Sequence, residues 1–262
     1  MTNNYSNETK GVFKEYAGVY DLFYVEKNYE AECKYIEDLI AKYSSGTVIS
    51  ILDIGCGTGG HALILTNSGF EIIGMDLSEE MLVQAREKAK QIDINIEFTQ
   101  GDVKNFDIGR RFDAVTAMFA VISYLTNTQD ILSSFAAVRK HLKSGGLFLF
   151  DAWFGPGVLS DPPREKITKY YMENTEILRT VIPEHDMGNH LVKVNYDILC
   201  IEDSKIIKRI KETHSMRYFF PQEVSDYAKR SGFDLISYEP FMKPDSTPQT
   251  KDWNMMFVLK AI

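Results

Sequence analysis

TVISILDIG, residues 47–55, is a short β-branched apolar run that ends on glycine, and a glycine-rich turn with a helical pattern follows at once. The alternation then recurs. EIIGMD (71–76) precedes LSEEMLVQAREKAKQ (77–91), INIEFTQGD (94–102) follows, and FDAVTAMFAV (112–121) precedes QDILSSFAAVRKHLK (129–143); SGG (144–146) reads as a stop before LFLFDAW (147–153). Strands that are apolar almost without interruption are buried on both faces, and strands joined through helices run parallel. The fold class is therefore α/β, a Rossmann-like sheet with helices on both faces. Upstream, Tyr29, Cys33, Ile36, Ile40 and Tyr43 recur at helical spacing, and Ser78 is placed to cap a helix whose first turn is acidic.

After residue 153 the rhythm changes. FGPGVLSDPPRE reads as a loop, and HLVKVNYDILCIE and KIIKRIKETHSMRYF alternate as half-buried antiparallel strands do, with turn chemistry at 188–189 and 203–204. PQEVSDYAKRSGF (221–233) returns to helix, and DLISYEP and WNMMFVLKA read as closing strands. Four units result: an N-terminal helical lid (1–45), a ligand-binding core (46–153), a small antiparallel β insertion after the fifth strand (154–219), and a closing helix with two strands (220–262).

Composition narrows the functions. A chain of 262 residues, 44% hydrophobic, can bury one substantial core, and its net charge of −8 opposes nucleic-acid binding. No run approaches the roughly 18 apolar residues of a membrane span, and the start MTNNYSNETK lacks the pattern of a signal peptide. Cys33, Cys56 and Cys200 form no CxxC pair, which fits a reduced, cytoplasmic setting, and five scattered histidines predict no metal.

DIGCGTGG carries the chemistry. Gly55, Gly57 and Gly60 satisfy G-x-G-x-x-G between strand and helix, with Gly59 in the same turn, a pattern shared with dinucleotide sites. Asp76, ending the next strand, can bind both ribose hydroxyls of an adenosine. Asp53 separates the readings: a pyrophosphate would meet its carboxylate unfavourably, whereas a ligand with an ammonium and a sulfonium would be favoured. S-adenosylmethionine is such a ligand. Gly101 and Asp102 follow the third strand, where the carboxylate can accept from an adenine amino group. Leu77, Met81 and Val103 can sandwich the ring, Met118 and Phe119 can floor the site, and His61 falls near the ligand's carboxylate.

DIGCGTGG, GMDLS and GDV together resemble motifs I to III of class I S-adenosylmethionine-dependent methyltransferases over residues 47–153. A narrower resemblance, carried by YAGVYDLFY, KNYEAE, MFAVISYL, FDAW and the late insertion, is to the nucleotide-sugar amino N,N-dimethyltransferases. It implies a seven-stranded sheet, S-adenosylmethionine as donor with S-adenosylhomocysteine as product, and a dTDP-linked amino-deoxysugar as acceptor. It further implies Tyr24 beside the transferring methyl and the substrate, Tyr29 near the cofactor, Tyr124 near the amine, and Asp151 and Trp153 on the substrate side. Asp151 replaces an expected Glu, and KNY an expected KDY. Asp151 or Tyr124 is the expected proton acceptor. On KIIKRIK, Lys205, Arg209 and Lys211 share one strand face; one of these, Arg217 or Arg164 is a candidate contact for a diphosphate, against the plainer reading of a solvated face. A glycine/sarcosine-type or sugar O-methyltransferase, an NAD-dependent oxidoreductase and a non-catalytic binding protein stay open as alternatives, and insertion strands can pair across a homodimer.

EYAGVYDLFY, residues 15–24, completes the reading. On a helical wheel Lys14, Gly18 and Asp21 form a narrow polar strip. Phe13, Ala17, Tyr20 and Tyr24 line one side of it, and Val12, Tyr16, Val19 and Phe23 the other. A helix apolar nearly all round is expected to close over a site as a lid, with Tyr20 and Tyr24 toward substrate.

Overall fold

The computed structural model describes residues 17–262, with side chains from Tyr20 onward. Val12, Phe13, Lys14 and Tyr16 of the expected lid, and the side chains of Ala17, Gly18 and Val19, lie outside the described residues.

Strands β1 (Ser50–Ile54), β2 (Glu71–Asp76), β3 (Glu97–Gln100), β4 (Phe112–Ala117) and β5 (Leu142–Phe154) run parallel in the order β3-β2-β1-β4-β5. The last two strands, β10 (Phe233–Pro240) and β11 (Asn254–Ala261), close the sheet: β11 pairs antiparallel with β5 and β10 with β11. One face is packed by α2 (Tyr29–Tyr43), α3 (Gly60–Asn67) and α4 (Glu79–Gln91) through Ile36, Leu65 and Leu82 against Ile51, Ile72 and Val258. The other face packs α5 (Thr128–Lys140) and α7 (Pro221–Arg230) through Phe135, Val138 and Val224 against Val115, Phe148 and Phe257. Inward residues on both faces are why the strands read as unbroken apolar runs.

Local chemistry sets the ends. Asn28 caps α2 by accepting from Ala31 N, Ser78 caps α4 by accepting from Met81 N, and Asn127 caps α5 by accepting from Asp130 N. SGG does not stop the chain before β5: the strand begins at Leu142, and a register shift with Gly145 at φ 73° absorbs the glycines. The run FDAVTAMFAV stops being strand at Ala117, because Phe119 and Ala120 take φ of 70° and 58° and turn the chain into a 3-10 turn, Val121–Tyr124.

The insertion is larger than its sequence suggests. FGPGVLSDPPRE is not all loop, since Pro156 opens a one-and-a-half-turn helix α6 (Gly155–Ser160). Four strands follow, β6 (Lys166–Met172), β7 (Thr175–Asp186), β8 (Leu191–Glu202) and β9 (Lys205–Phe219), in an antiparallel meander. Among the described residues its strands pair with the core sheet where Trp153 and Phe154 of β5 run parallel with Tyr218 and Phe219 of β9. The short helix α1 (Ala17–Phe23) lies against the meander: Tyr20 and Phe23 pack with Ile177, Ile198 and Ile210 and with Met81 of α4.

Candidate functional site

The glycine turn after β1 is shaped by two backbone demands. Gly55 has φ 69°, and a Cβ there would lie 2.4 Å from a Val121 methyl, so only glycine fits both the conformation and the space. Gly57 has φ 55°, but a Cβ there would meet nothing within 4 Å, because the residue borders open space. Asp76 holds the turn: its carboxylate accepts from Gly57 N at 2.8 Å and Ser78 N at 2.8 Å. Burial pushes its pKa up and outweighs these backbone donors, which pull it down. Each oxygen still has lone-pair capacity for a further donor.

Behind the turn, Asp53 is 1% exposed. Its Oδ1 accepts from Thr116 Oγ1 at 2.8 Å, while Oδ2 is buried with no hydrogen-bond partner among the described residues. Burial raises this carboxyl to about 6, against the opposing pull of His61 and Thr116.

A single cavity runs from this turn to the insertion. At one end it is lined by Gly55, Gly57, Asp76, Leu77, Met81, Asp102 and Val103, with Met118 and Phe119 along its floor. Asp102 also caps its own turn, accepting from Lys104 N at 3.0 Å. At the other end stand Tyr20, Tyr24, Tyr124 and Trp153, together with Val194, Tyr196, His214 and Met216 of the meander. Tyr24 meets Phe119 edge-on at 4.9 Å between ring centres. Helix α1 thus supplies the wall where the two ends meet.

Other residues expected here lie elsewhere. Tyr29 does not line the cavity; its ring covers Gly60 and meets His61 edge-on at 5.0 Å. The His61 Nε2 pairs with Glu32 Oε2 at 2.8 Å, and Lys27 bonds the other oxygen of that carboxylate. Burial works against the Glu32 charge, but the His61 and Lys27 hydrogen bonds outweigh it and hold the carboxyl below its ordinary value. Gly59 begins α3 and faces Phe98 and Ala85, and Gly101 abuts Met75. Asp151 is 1% exposed and accepts from Ala120 N at 3.0 Å, so it sits beneath the Phe119–Ala120 turn rather than in the cavity wall. Burial raises it to about 6.

None of the candidate phosphate contacts borders the cavity. Arg217 is ion-paired to Glu223 at 3.1 Å, Arg209 to Asp197, and Arg164 to Asp161. Lys205 and Lys211 lie on the exposed part of β9. Among the described residues no cluster of His, Cys, Asp or Glu could hold a metal ion, and no helix is long and apolar enough to cross a membrane.

Sequence reasoning passed over His214. The Tyr124 hydroxyl meets His214 Nδ1 at 2.9 Å, and His214 Nε2 meets Glu212 Oε2 at 3.2 Å, with His214 and Glu212 nearly inaccessible to water. The available signal was the spacing in KETH: on a strand, Glu212 and His214 fall on one face.

Residues 51–146 match the family model described as a methyltransferase domain. The chain has a class I methyltransferase fold, and the family match lies within its core. This domain and its surroundings superpose on an S-adenosylmethionine-dependent methyltransferase from Clostridium acetobutylicum with a TM-score of 0.79 at 22% identity, covering 94% of this chain and 98% of that one. The Streptomyces venezuelae protein DesVI gives 0.75 at 24% identity, covering 92% and 97%. In sequence, the chain is 36% identical over 149 residues to the dTDP-3-amino-3,4,6-trideoxy-alpha-D-glucopyranose N,N-dimethyltransferase of Streptomyces venezuelae; the aligned stretch is 56% of this chain and 61% of that relative. The residues of the site fit S-adenosylmethionine, on which the Clostridium acetobutylicum neighbour depends. Asp53 sets an unsatisfied buried carboxylate oxygen under the turn, which suits a cationic ligand, and Gly57 leaves its approach open.

Proposed function

We propose that the protein transfers a methyl group from S-adenosylmethionine to the amine of a small molecule, in its sharpest form a dTDP-linked amino-deoxysugar. The observation that carries this reading is the continuity of the cavity. It joins the glycine turn with Asp76 and Asp102 to a chamber of Tyr20, Tyr24, Tyr124, Trp153, Tyr196 and His214. A donor end and an acceptor end in one enclosure are what direct transfer requires. The similarity to an aminosugar N,N-dimethyltransferase supports the choice of amine.

When bound, S-adenosylmethionine supplies an electrophilic methyl with a good leaving group. The chain's own residues then have three tasks. Asp76 and Asp102 would hold the adenosine, with Leu77, Met81 and Val103 about the ring. The faces of Tyr20, Tyr24 and Phe119 favour positive charge and exclude water. Tyr124 would orient the amine and take its proton, since an ammonium has no lone pair with which to attack. Asp151 would act from below by fixing the Phe119–Ala120 turn. Of the expected lid (1–45), residues 17–27 serve as the lid while α2 belongs to the core; 154–219 form the acceptor side, and 220–262 close the core. The exposed Ile167 and Tyr171 of the outer strand β6 are consistent with a homodimer through the insertion.

Incubation with S-adenosylmethionine and dTDP-3-amino-3,4,6-trideoxyglucose, followed by mass spectrometry, tests the proposal. One or two added methyl groups are expected. Methylation of hydroxyl sugars but not this amine would replace the reading with O-transfer. Equal turnover of the free aminosugar would remove the nucleotide from it.

A further inference from the structure

Resting on that amine reading, we propose that Tyr124, His214 and Glu212 form a proton relay leading out of the acceptor end of the cavity, with His214 and Glu212 as positioning residues that act through the Tyr124 phenol. The geometry is a chain of donors and acceptors. Tyr124 ends the 3-10 turn after β4 and lines the cavity; its hydroxyl lies 2.9 Å from His214 Nδ1 on β9, and His214 Nε2 lies 3.2 Å from Glu212 Oε2. The Tyr124–His214 contact spans 90 residues of sequence and joins two elements, so it is built by the docking of the meander on the core.

Direction follows from what each group can do. An ionised carboxylate only accepts, so Glu212 favours the tautomer of His214 that carries its hydrogen on Nε2. That leaves Nδ1 as an acceptor, and Tyr124 must then donate to it. The phenol oxygen keeps a lone pair that can accept from an ammonium on the cavity side. In the proposed step, an N–H bond of the substrate ammonium breaks and an O–H bond forms on Tyr124, while the original Tyr124 O–H breaks and an N–H forms on His214 Nδ1. The imidazolium so produced is paired with Glu212. The amine retains the electron pair of its broken N–H bond; that pair forms the N–CH3 bond as the S–CH3 bond breaks and its electrons pass to sulfur. After product leaves, the Tyr124 phenol gives its proton to water in the cavity as His214 Nδ1 returns a proton to the Tyr124 oxygen, restoring the neutral imidazole.

The surroundings suit this use. His214 is faced by Glu212 from its own strand, Tyr196 from β8, Arg179 from β7 and Tyr124 from the 3-10 turn. Burial holds the imidazole below its ordinary value; Glu212 pulls it up and Arg179 pushes it down, so it is a neutral acceptor near neutral pH. Burial also pushes the Tyr124 phenol well up, which keeps its proton in place until the acceptor takes it.

Two measurements on the full chain test the relay. Nitrogen-15 NMR of the labelled imidazoles is expected to show His214 protonated on Nε2, with the Nδ1 resonance moving in Tyr124→Phe and the imidazole titrating at lower pH in Glu212→Gln. A His214 protonated on Nδ1 overturns the relay without reference to any substrate. In kinetics with dTDP-3-amino-3,4,6-trideoxyglucose, His214→Gln and Glu212→Gln are expected to lower kcat about tenfold or more with KM changed less than about threefold. The acidic limb of the kcat profile should move to lower pH in Glu212→Gln. Variants that keep kcat and an unmoved limb sink the relay alone. A wild-type enzyme that leaves this amine unmethylated sinks the amine reading and the relay with it.

Discussion

Asp21 of helix α1 accepts a hydrogen bond from Thr58 of the glycine turn at 2.8 Å. The same carboxylate pairs with Lys88 of α4 at 2.6 Å, and Lys88 also donates to Thr58 at 2.8 Å. A three-membered polar latch therefore ties the single polar edge of an otherwise apolar helix to the element that would hold the cofactor. Breaking it with Asp21→Ala should weaken S-adenosylmethionine binding roughly threefold to tenfold, with the difference shrinking at high salt, because the two charged groups are part-exposed and screened. Isothermal titration at two ionic strengths reads this; an unchanged affinity at low salt would show that the latch does not report on the site.

The two glycines of the turn should fail differently. Gly55→Ala faces both a left-handed backbone and a side chain at 2.4 Å, so it should lower stability by more than the roughly 1–2 kcal/mol of the conformational penalty alone. Gly57→Ala has the same backbone penalty with no clash, so its stability loss should stay near that range while cofactor affinity falls. Denaturant melts with and without S-adenosylmethionine separate the two outcomes.

Asp53 and Asp151 make stability depend on pH in an unusual sense. Each carboxyl is raised from 3.8 to about 6 by burial, so the folded state holds its protons more tightly than the unfolded chain. The stability they contribute is full below about 3.8 and is lost as pH rises through about 6, by at most about 3 kcal/mol each. Asp53→Asn should therefore raise the melting temperature at pH 7.5 and flatten the slope between pH 4 and 7. Thermal melts across that range give the answer, and a steeper slope in the variant would reverse the assignment.

Arg179 of β7 faces the end of α1, with its guanidinium 4.8 Å from the rings of Phe23 and Tyr196 and 5.9 Å from Tyr24. Arg179→Met keeps much of the bulk and removes the charge. It should cost about 0.5–2 kcal/mol and speed proteolysis within residues 17–27 before the core is cut. Cleavage at wild-type rate in that stretch would mean that packing alone holds the lid.

What could be read from the sequence was whatever depended on neighbours along the chain. The α2 boundaries follow from a 3.6-residue apolar period, the α4 start from the capping residue Ser78, and the glycine turn from a short pattern whose spacing is its geometry. Residues whose roles depend on distant partners were misplaced. Asp151 reads as an acid at a strand end, but its acceptor sites are engaged under a turn formed by Phe119 and Ala120. Arg217 reads as a free cation until Glu223 of α7 closes on it. His214 looks like one of several scattered histidines, because its partner Tyr124 arrives from the far side of the sheet connection. Strands β6 and β7 escaped notice because Ile177 alone of their residues is fully buried and their apolar residues do not form a clean two-residue period.

The two rungs between β5 and β9 have a consequence for descent. With Trp153–Tyr218 and Phe154–Phe219 as the strand pairs between core and meander among the described residues, changes in residues 164–217 leave the hydrogen-bond ladder of the parallel sheet untouched. Mutations there can reshape the acceptor pocket while the donor half keeps its structure. A lineage built on this plan can inherit one chemistry intact and trade the molecules on which it is practised.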